Sequence, residues 1–285
     1  MSDVPGGPTP PPPPPPPPMM GGPQGGIPPK TLGEILSAAF NIYKANASKL
    51  VVIVAVVVVP LSFVSALVSG VALAPGKTTV TILGQPTEVV DTRGALTVLF
   101  VAAIGAAISV ITWAVLEAAI IRAAAEATIG DPVDPEASYR YGFRRLGSVI
   151  LVSLLVGLAV LGGLILLVIP GLIFAVFLSV AIPALIVENR RGTDAMGRSW
   201  NLVKGHFWHA VGVIVVAGLI TGVIDGIISS IGGHAWFVRW IFTAIATVVT
   251  APYSALVLVL LYLDLRARSE SLSAQTLRSE LTASS

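Results

Sequence analysis

The sequence predicts an all-α fold: a polytopic membrane bundle of six transmembrane helices with three amphipathic helices on the cytoplasmic interface. Of its 285 residues 54% are hydrophobic and 11% charged, and the mean hydropathy is +0.87. Soluble domains carry about 25% charged residues, so this composition is typical of a protein solvated by lipid. Six apolar runs approach the roughly 20 residues that cross a bilayer. They lie at about residues 50–72, 95–121, 147–168, 171–188, 207–231 and 236–265.

Three parts follow one another along the chain. Residues 1–30 form a proline- and glycine-rich arm that we expect to be disordered and cytoplasmic, residues 31–268 the membrane domain, and residues 269–285 a flexible polar tail. The consecutive prolines Pro10–Pro18 favour an extended polyproline II segment without a core. Two interpretations stay open for the arm: a stiff tether, which we favour, and a ligand for a protein partner with an aromatic groove.

Amphipathic segments precede the first, third and fifth spans and are expected to lie on the membrane as helices. Thr31 and Glu34 have the T-x-x-E spacing of a capping box, which starts the first helix. Asp134 as N-cap and Pro135 in the first turn start the second. In the third, polar and apolar residues separate to opposite sides at helical spacing. The segments are Thr31–Ser48, Asp134–Leu146 and Thr193–Trp208.

Glycine and proline residues interrupt the apolar runs. Ile169-Pro170-Gly171 alone separates the third span from the fourth and predicts a tight hairpin there. Between the first two spans, TVTIL and TEVV alternate polar and apolar residues around Gly84–Pro86, which predicts a small β-hairpin. Three prolines fall inside spans, where neighbouring helices absorb the freed carbonyls. These are Pro60, Pro183 and Pro252.

The basic residues orient the spans. With six crossings and a cytoplasmic N-terminus, only Lys77, Arg93 and Arg239 of the seventeen Lys and Arg residues lie outside the cytoplasm. Basic residues are concentrated in the cytoplasmic loops of membrane proteins, and an odd number of spans would remove the asymmetry. The sequence therefore predicts a multi-pass protein of the plasma membrane with both termini in the cytoplasm.

An aromatic residue stands four positions before a basic residue in each amphipathic helix, at Phe40/Lys44, Tyr141/Arg145 and Trp200/Lys204. Residues four apart share a helix face. Each amphipathic helix forms one unit with the two spans that follow it, and this shared spacing makes the three units similar. Internal repetition and convergence at a membrane boundary both stay open as its origin. A cation near an anionic membrane gains about 1 kcal/mol. We therefore expect anionic headgroups, or a partner, to contact Lys44, Arg144, Arg145, Arg198, Trp200 and Lys204.

Glu117 and Asp225 are acidic side chains inside predicted spans, where ionisable residues are rare. Asp225 in span five is expected to pair with Arg239 across the outer hairpin, and a structural pair is favoured over ion coupling. Glu117 in span two has three candidate arrangements: exposure at the cytoplasmic interface, a pair with Arg122, and a contact with His209. The last would bring together an acid and a histidine for proton transfer.

A row of glycines indicates a packing surface on span five. Gly218, Gly222 and Gly226 recur every four residues, which lets another helix approach closely. Asp225 lies three positions after Gly222, so it is expected on the same packed side. The partner helix belongs either to this chain or to a second copy, because the sequence leaves the oligomeric state open.

Composition and motifs exclude several functional classes. The chain has no cysteine, hence no disulfide, thiolate metal site or cysteine nucleophile. The pI of about 9.0 comes from few basic residues beside apolar runs, so we expect no nucleic-acid partner. His206, His209 and His234 lack metal-ligand spacing, and G-x-S-x-G, Walker A, H-E-x-x-H and G-x-G-x-x-G are absent. We expect no cofactor, no metal and no catalytic activity.

Three stretches of the sequence carry a family resemblance: TLGEILSAAFNIYK, IPGLIFAVFLSVAIPALIVENRRGTDAMGRSWNLVKGHFW and LYLDLRAR. They resemble a family of multi-pass bacterial membrane proteins, common in actinobacteria, that is related to the membrane domain attached to some glycerophosphodiester phosphodiesterases. The resemblance covers roughly residues 31–268 and implies an all-helical domain. The phosphodiesterase activity is not implied, because it belongs to a soluble barrel for which this chain has no room, and the proline arm is extra to the family pattern.

These observations favour a scaffold or accessory protein in envelope or lipid-related processes. The alternative is a small transporter or channel that uses Glu117 or Asp225, and the few polar residues in the spans disfavour it. An intramembrane enzyme would need both acids and a histidine to meet, and their opposite depths argue against this. A continuous polar cavity at Glu117 would favour the transporter, and a filled bundle the scaffold.

Overall fold

The computed structural model describes residues 28–67, 77–82, 85–90, 92–190, 192–231, 236–270 and 272–284. Its elements are α1 (Leu32–Leu67), β1 (Lys77–Ile82), β2 (Gln85–Val90), α2 (Thr92–Thr128), α3 (Pro135–Leu166), α4 (Val168–Phe177), α5 (Ala181–Val187), α6 (Thr193–Lys204), α7 (Phe207–Ile231), α8 (Trp236–Ser269) and α9 (Ala274–Ser284). The helical fold is confirmed, and six helical segments of the described chain are long and apolar enough to cross a membrane. They are Leu32–Phe63, Ala103–Thr128, Pro135–Leu166, Val168–Val187, Phe207–Ile231 and Trp240–Ser269. The chain is a multi-pass membrane protein.

α1 contains the first amphipathic segment and the first span, which are separated by a kink. Its start is the predicted capping box: the Thr31 N–H donates to Glu34 Oε2 at 2.6 Å, and the Glu34 N–H donates to Thr31 Oγ1 at 3.4 Å. A separate helix was expected over residues 31–48, and the structure agrees: Asn46 has a non-helical backbone (φ −119°, ψ 15°), so two helices meet across a kink there. The Asn46 amide donates to the Ile42 carbonyl at 3.2 Å, and such side-chain bonds to the helix backbone favour a kink. The arm with Pro10–Pro18 lies outside the described residues.

A β-hairpin follows, as the alternating pattern predicts. β1 and β2 pair antiparallel, with Lys77 opposite Val90 and Ile82 opposite Gln85. Because β2 begins at Gln85, Pro86 belongs to the strand rather than to the turn. A proline is tolerated in a two-stranded sheet, where each strand has an unpaired edge.

α3 contains the second amphipathic segment and the third span without a break. Asp134 caps it as predicted, because its side chain accepts a hydrogen bond from the Glu136 N–H at 3.0 Å with Pro135 in the first turn. A separate surface helix over Asp134–Leu146 was expected. That expectation is wrong, because no proline or kink interrupts α3 and its buried residues continue from Ser138 to Gly163.

The hairpin between α3 and α4 turns at Leu167, earlier than the predicted Ile169–Gly171. Leu167 has an extended backbone (φ −165°, ψ 146°), and Pro170 lies in the first turn of α4, where its missing N–H removes no helical hydrogen bond. The hairpin is tight, as predicted. A Cβ on Gly163 would lie 2.8 Å from the Gly171 Cα.

The fourth span consists of α4 and α5, separated by a turn at residues 178–180. Pro183 lies in the first turn of α5, so it begins a helix rather than bending one. Pro60 and Pro252 lie inside α1 and α8, as predicted. α5 is buried throughout and contacts α2, α3, α6, α8 and α9.

α8 is the most buried of the candidate spans. It packs against α1, α2 and α7, and from Ala255 to Arg266 every residue except Leu258 is buried. The C-terminal part of α8, with the charged residues Asp264 and Arg266, is therefore inside the protein.

The C-terminal segment forms a packed helix, which corrects the prediction of a flexible tail over residues 269–285. Leu272, Leu277 and Leu281 are buried, and α9 packs against α5. Arg278 Nη2 lies 3.4 Å from Asp131 Oδ1 in the loop after α2. The leucines give this polar segment an apolar side, and the bundle covers that side.

Candidate functional site

Several elements meet at one end of the bundle, which we call the basic end. α1 and α3 begin there, α2, α5 and α8 end there, and α6 and α9 pack against it. Tyr141 OH donates to the Ile186 carbonyl at 3.0 Å, and Arg278 Nη2 donates to the Ile129 carbonyl at 3.2 Å. These bonds hold the helix ends together.

Glu188, directly after α5, accepts hydrogen bonds from three side chains at the basic end. Its Oε1 accepts from Tyr262 OH at 2.7 Å and from Arg198 Nε at 2.8 Å, and its Oε2 accepts from Arg190 Nε at 2.5 Å. Arg266 Nε lies 3.4 Å from Oε1. Burial raises the pKa of the Glu188 carboxyl. The bonds from the tyrosine and two arginines and the charge of the third arginine outweigh burial, so this pKa lies below its usual range.

Two further glutamates complete this group. Arg266 Nη1 lies 2.7 Å from Glu280 Oε2, and Nη2 lies 3.0 Å from Oε1. Arg198 Nη2 lies 2.5 Å from Glu270 Oε1. We call the group the Glu188 cluster: Glu188, Arg190, Arg198, Tyr262, Arg266, Glu270 and Glu280. Three arginines balance three glutamates, so the cluster has no excess charge for a ligand and instead joins α5, α6, α8 and α9.

Asp264 fixes the start of α1 from another side of α8. Its buried carboxylate accepts hydrogen bonds from the Lys30 backbone N–H at 2.5 Å and from Arg268 Nε at 2.8 Å. Arg268 Nη2 also donates to the Lys30 carbonyl at 2.6 Å. His209 Nε2 lies 2.9 Å from Asp264 Oδ2, although not in hydrogen-bond geometry. The predicted contact of His209 with Glu117 is therefore wrong.

The LYLDLRAR stretch, which carries part of the family resemblance, supplies residues both to the Glu188 cluster and to the contacts around Asp264. Tyr262 and Arg266 belong to the Glu188 cluster, whereas Asp264 and Arg268 bind the start of α1. Helical residues two apart point about 200° away from each other. The alternating polar residues therefore hold α8 on two sides.

α6 is attached to the interior of the protein, which corrects the predicted headgroup role of Arg198 and Trp200. Arg198 is bound in the Glu188 cluster. The Trp200 ring stacks on Phe177, with centroids 4.1 Å apart and planes 19° apart. Ser199 Oγ donates to the Phe177 carbonyl at 2.7 Å. The R-S-W sequence therefore fixes α6 against the end of α4 and against the cluster.

The other four predicted headgroup residues have no ion-pair partner among the described residues. Lys44, Arg144 and Lys204 are exposed, and Arg145 is half-buried. These four cations lie at the basic end and are available to an anion. They are Lys44, Arg144, Arg145 and Lys204.

The aromatic residues of the three amphipathic segments occupy different environments. The Lys44 Nζ lies 5.5 Å from the centroid of the exposed Phe40 ring, and the Arg145 Cζ lies 5.9 Å from the Tyr141 ring. Tyr141 is buried, however, and Trp200 is half-buried and stacks on Phe177. Exposed aromatic residues at the basic end are Phe40, Phe143 and Trp208. The three units are therefore not equivalent.

A small cavity of about 180 Å³ lies at the basic end between α2 and α3. Arg122 Nε lies 2.6 Å from Glu126 Oε1, and Arg140 Nη2 lies 2.7 Å from Glu136 Oε1. Of the three arrangements considered for Glu117, the pair with Arg122 is not found, because Glu126 one turn later binds this arginine. The lining residues are Arg122, Glu126, Ala137, Arg140, Tyr141 and Arg144.

Asp225 faces α8 rather than the glycine row. Thr250 Oγ1 donates to Asp225 Oδ1 at 3.0 Å, and the Arg239 side chain of the predicted pair lies outside the described residues. A Cβ on any of the three glycines would meet no described atom within 4 Å. Of the two open alternatives, packing of this row against a helix of the same chain is not found among the described residues, and the buried row of α7 runs through Ala210, Val213 and Ala217. The three glycines are Gly218, Gly222 and Gly226.

Glu117 lies in an open groove of about 710 Å³ between α2 and α3, which we call the Glu117 cavity and whose lining includes the exposed Trp113, Leu154 and Leu158. Ser153 Oγ on α3 donates to Glu117 Oε2 at 3.2 Å. Glu117 therefore faces neither the interface nor Arg122, and the cavity is mostly apolar rather than a polar path. Its described lining consists of Leu61, Ser109, Val110, Trp113, Ala114, Glu117, Ile150, Ser153, Leu154, Gly157, Leu158 and Leu161.

Sequence reasoning missed Glu188 and Asp264 as organising acids. Both stand where an apolar run ends and charged residues begin, which was the available signal. His206 and His209 lie near each other in sequence, but among the described residues no group of three His, Asp or Glu side chains could hold a metal ion. No family model, curated protein or solved structure matches this chain. The family resemblance stays a prediction.

Proposed function

We propose that this chain is a non-catalytic scaffold or accessory protein of the plasma membrane that holds anionic lipid headgroups at its basic end. The observation that carries the proposal is the contrast among the basic residues there. Arg198 and Arg266 are bound by acids in the Glu188 cluster, whereas Lys44, Arg144 and Lys204 are exposed without an ion-pair partner among the described residues. Such cations gain about 1 kcal/mol each near an anionic surface.

The proposal includes an orientation and a family. In it the basic end is cytoplasmic, because basic residues are concentrated in cytoplasmic loops, and both termini lie on that side. The resemblance to the bacterial membrane-domain family supports a role in envelope or lipid-related processes. The arm with Pro10–Pro18 is a tether in this proposal, and binding of a protein partner is its alternative.

Transport of a polar solute has less support. A polar solute needs polar groups along its path, yet three of the twelve described lining residues of the Glu117 cavity are Ser or Glu. The charged groups of the Glu188 cluster are paired with one another and, in the described part of the chain, leave no unpaired charge for a solute. Neither region offers a continuous polar route among the described residues.

Lipid retention by the purified full-length protein tests the proposal. Native mass spectrometry would compare retained phosphatidylglycerol with retained phosphatidylcholine in the wild type and in a quadruple variant. Loss of four cations should lower the preference for the anionic lipid at least about fivefold. An unchanged preference would overturn the proposal. The variant combines Lys44→Gln, Arg144→Gln, Arg145→Gln and Lys204→Gln.

Arg140→Gln is the matched control. Arg140 is also an exposed cation at the basic end, but Glu136 already binds it at 2.7 Å. Its loss removes one positive charge from the same surface without removing an unpaired cation. We expect its lipid preference to stay close to that of the wild type.

A further inference from the structure

The Glu117 cavity combines a large apolar volume with one acidic group. Its volume of about 710 Å³ lies within the range of roughly 300 to 1,000 Å³ that is usual for small-molecule sites. Such sites are mostly apolar and have a few polar groups that orient the ligand. In this cavity the polar groups are Ser109, Glu117 and Ser153, and Glu117 is the one titratable side chain among the described lining residues.

The Glu117 carboxyl lacks a charged partner among the described residues. Ser153 Oγ supplies one neutral hydrogen bond to Oε2, and Arg122 is bound to Glu126 instead. An isolated carboxylate in apolar surroundings is costly unless a cation or several donors approach it. A cation that enters the cavity would supply the missing partner.

Trp113 adds a second feature that favours a cation. It also lines the cavity and precedes Glu117 by four residues on α2, so the two side chains share a helix face. An indole ring attracts a cation to its face, and the attraction is stronger when the cation is desolvated. The carboxylate and the indole favour a positive charge, and the apolar walls favour an apolar body. The cavity therefore suits a ligand that has both.

We propose that the Glu117 cavity binds a hydrophobic organic cation, with its charge beside the Glu117 carboxylate and the Trp113 ring. The apolar body lies along α2 and α3, against residues such as Leu154 and Leu158. A lipid acyl chain is the competing occupant, because it also fills apolar volume. It offers no partner for the carboxyl group, however, and it gains nothing from the indole face.

Equilibrium binding of radiolabelled tetraphenylphosphonium to the purified full-length protein in detergent tests the site. The wild type should show saturable binding. Glu117→Gln keeps the size of the side chain and its bond with Ser153, and it should weaken binding at least about tenfold. Trp113→Leu should weaken binding about fivefold or more. Absence of saturable binding to the wild type would overturn the proposal.

Two controls separate this site from general partition into the detergent. Asp225→Asn neutralises a different acid in a candidate span, one that faces Thr250 on α8, and it should leave the affinity unchanged. Val110→Trp fills the cavity and should abolish binding while Glu117 remains. Equal binding by the wild type and Glu117→Gln would identify the cavity as an acyl-chain site instead. These results do not depend on the headgroup residues, so either proposal can fail alone.

Discussion

Arg266 of α8 and Glu280 of α9 are joined by two parallel hydrogen bonds, 2.7 Å and 3.0 Å long. Arginine–carboxylate pairs of this form are among the stronger hydrogen bonds in proteins. Together with the buried Leu277, the pair holds the C-terminal helix on the bundle. The end of the chain is therefore part of the folded domain.

Glu280→Ala should loosen α9. It removes both bonds and leaves Arg266 with Glu188 and Glu270, so we expect a loss of about 1 to 3 kcal/mol in the free energy of docking. Limited proteolysis should then cleave residues 272–284 faster than in the wild type. Gln275→Ala is the control, because Gln275 is exposed on the same helix. Equal protection of the wild type and Glu280→Ala would contradict this account.

The Glu188 cluster should make stability depend on acid pH. Its partners hold the pKa of Glu188 below the usual range, so the carboxylate stabilises the folded state above the unfolded pKa of about 4.3. That contribution is lost as the pH falls through the lower folded pKa. Glu188→Gln should therefore unfold at a lower temperature than the wild type at pH 7. The difference should shrink below about pH 4, and a difference that grows with acid would refute the assignment.

Asp264→Asn should destabilise the start of α1. The buried carboxylate binds the Lys30 N–H and Arg268, and removal of its charge leaves the arginine without its acid. We expect a loss of about 2 to 4 kcal/mol in the free energy of unfolding, measured by thermal unfolding in detergent. Asp194→Asn is the control, because Asp194 is exposed on α6, and it should cost less than about 1 kcal/mol.

Replacement of a glycine by alanine should have opposite effects on stability at two positions. Gly163→Ala places a methyl group against the backbone of Gly171, and this overpacking should cost about 1 to 3 kcal/mol. At Gly222 no described atom lies within 4 Å of an added Cβ, so Gly222→Ala should be neutral or stabilising by up to about 1 kcal/mol. Thermal unfolding in detergent measures both. A clear loss in Gly222→Ala would instead indicate that this row packs against a second copy.

Local signals predicted the helix starts and the hairpin. Thr31 with Glu34, and Asp134 with Pro135, set helix starts through bonds within one turn, which the sequence displays directly. The six apolar spans were recognisable because length and hydropathy determine them. The separate helix over Asp134–Leu146 was predicted wrongly, since an amphipathic segment and an apolar span have the same helical geometry when no residue breaks the helix.

Long-range contacts could not be predicted in this way. Glu188 meets Tyr262, which is 74 positions later, and no spacing rule links the two residues. Trp200 was assigned to the membrane surface because an interfacial and a stacked indole have the same sequence pattern. Glu117 was placed correctly within a span, but its bond with Ser153 depends on how α2 and α3 pack.

Cysteine labelling in intact cells tests the proposed orientation of the basic end most directly, since the natural chain has no cysteine. Asn201→Cys would report on the basic end and Ser230→Cys on the opposite end, because both residues are exposed. With a membrane-impermeant maleimide, we predict that Ser230→Cys reacts in intact cells and that Asn201→Cys reacts only after permeabilisation. Reaction of Asn201→Cys in intact cells, with protection of Ser230→Cys, would contradict the account.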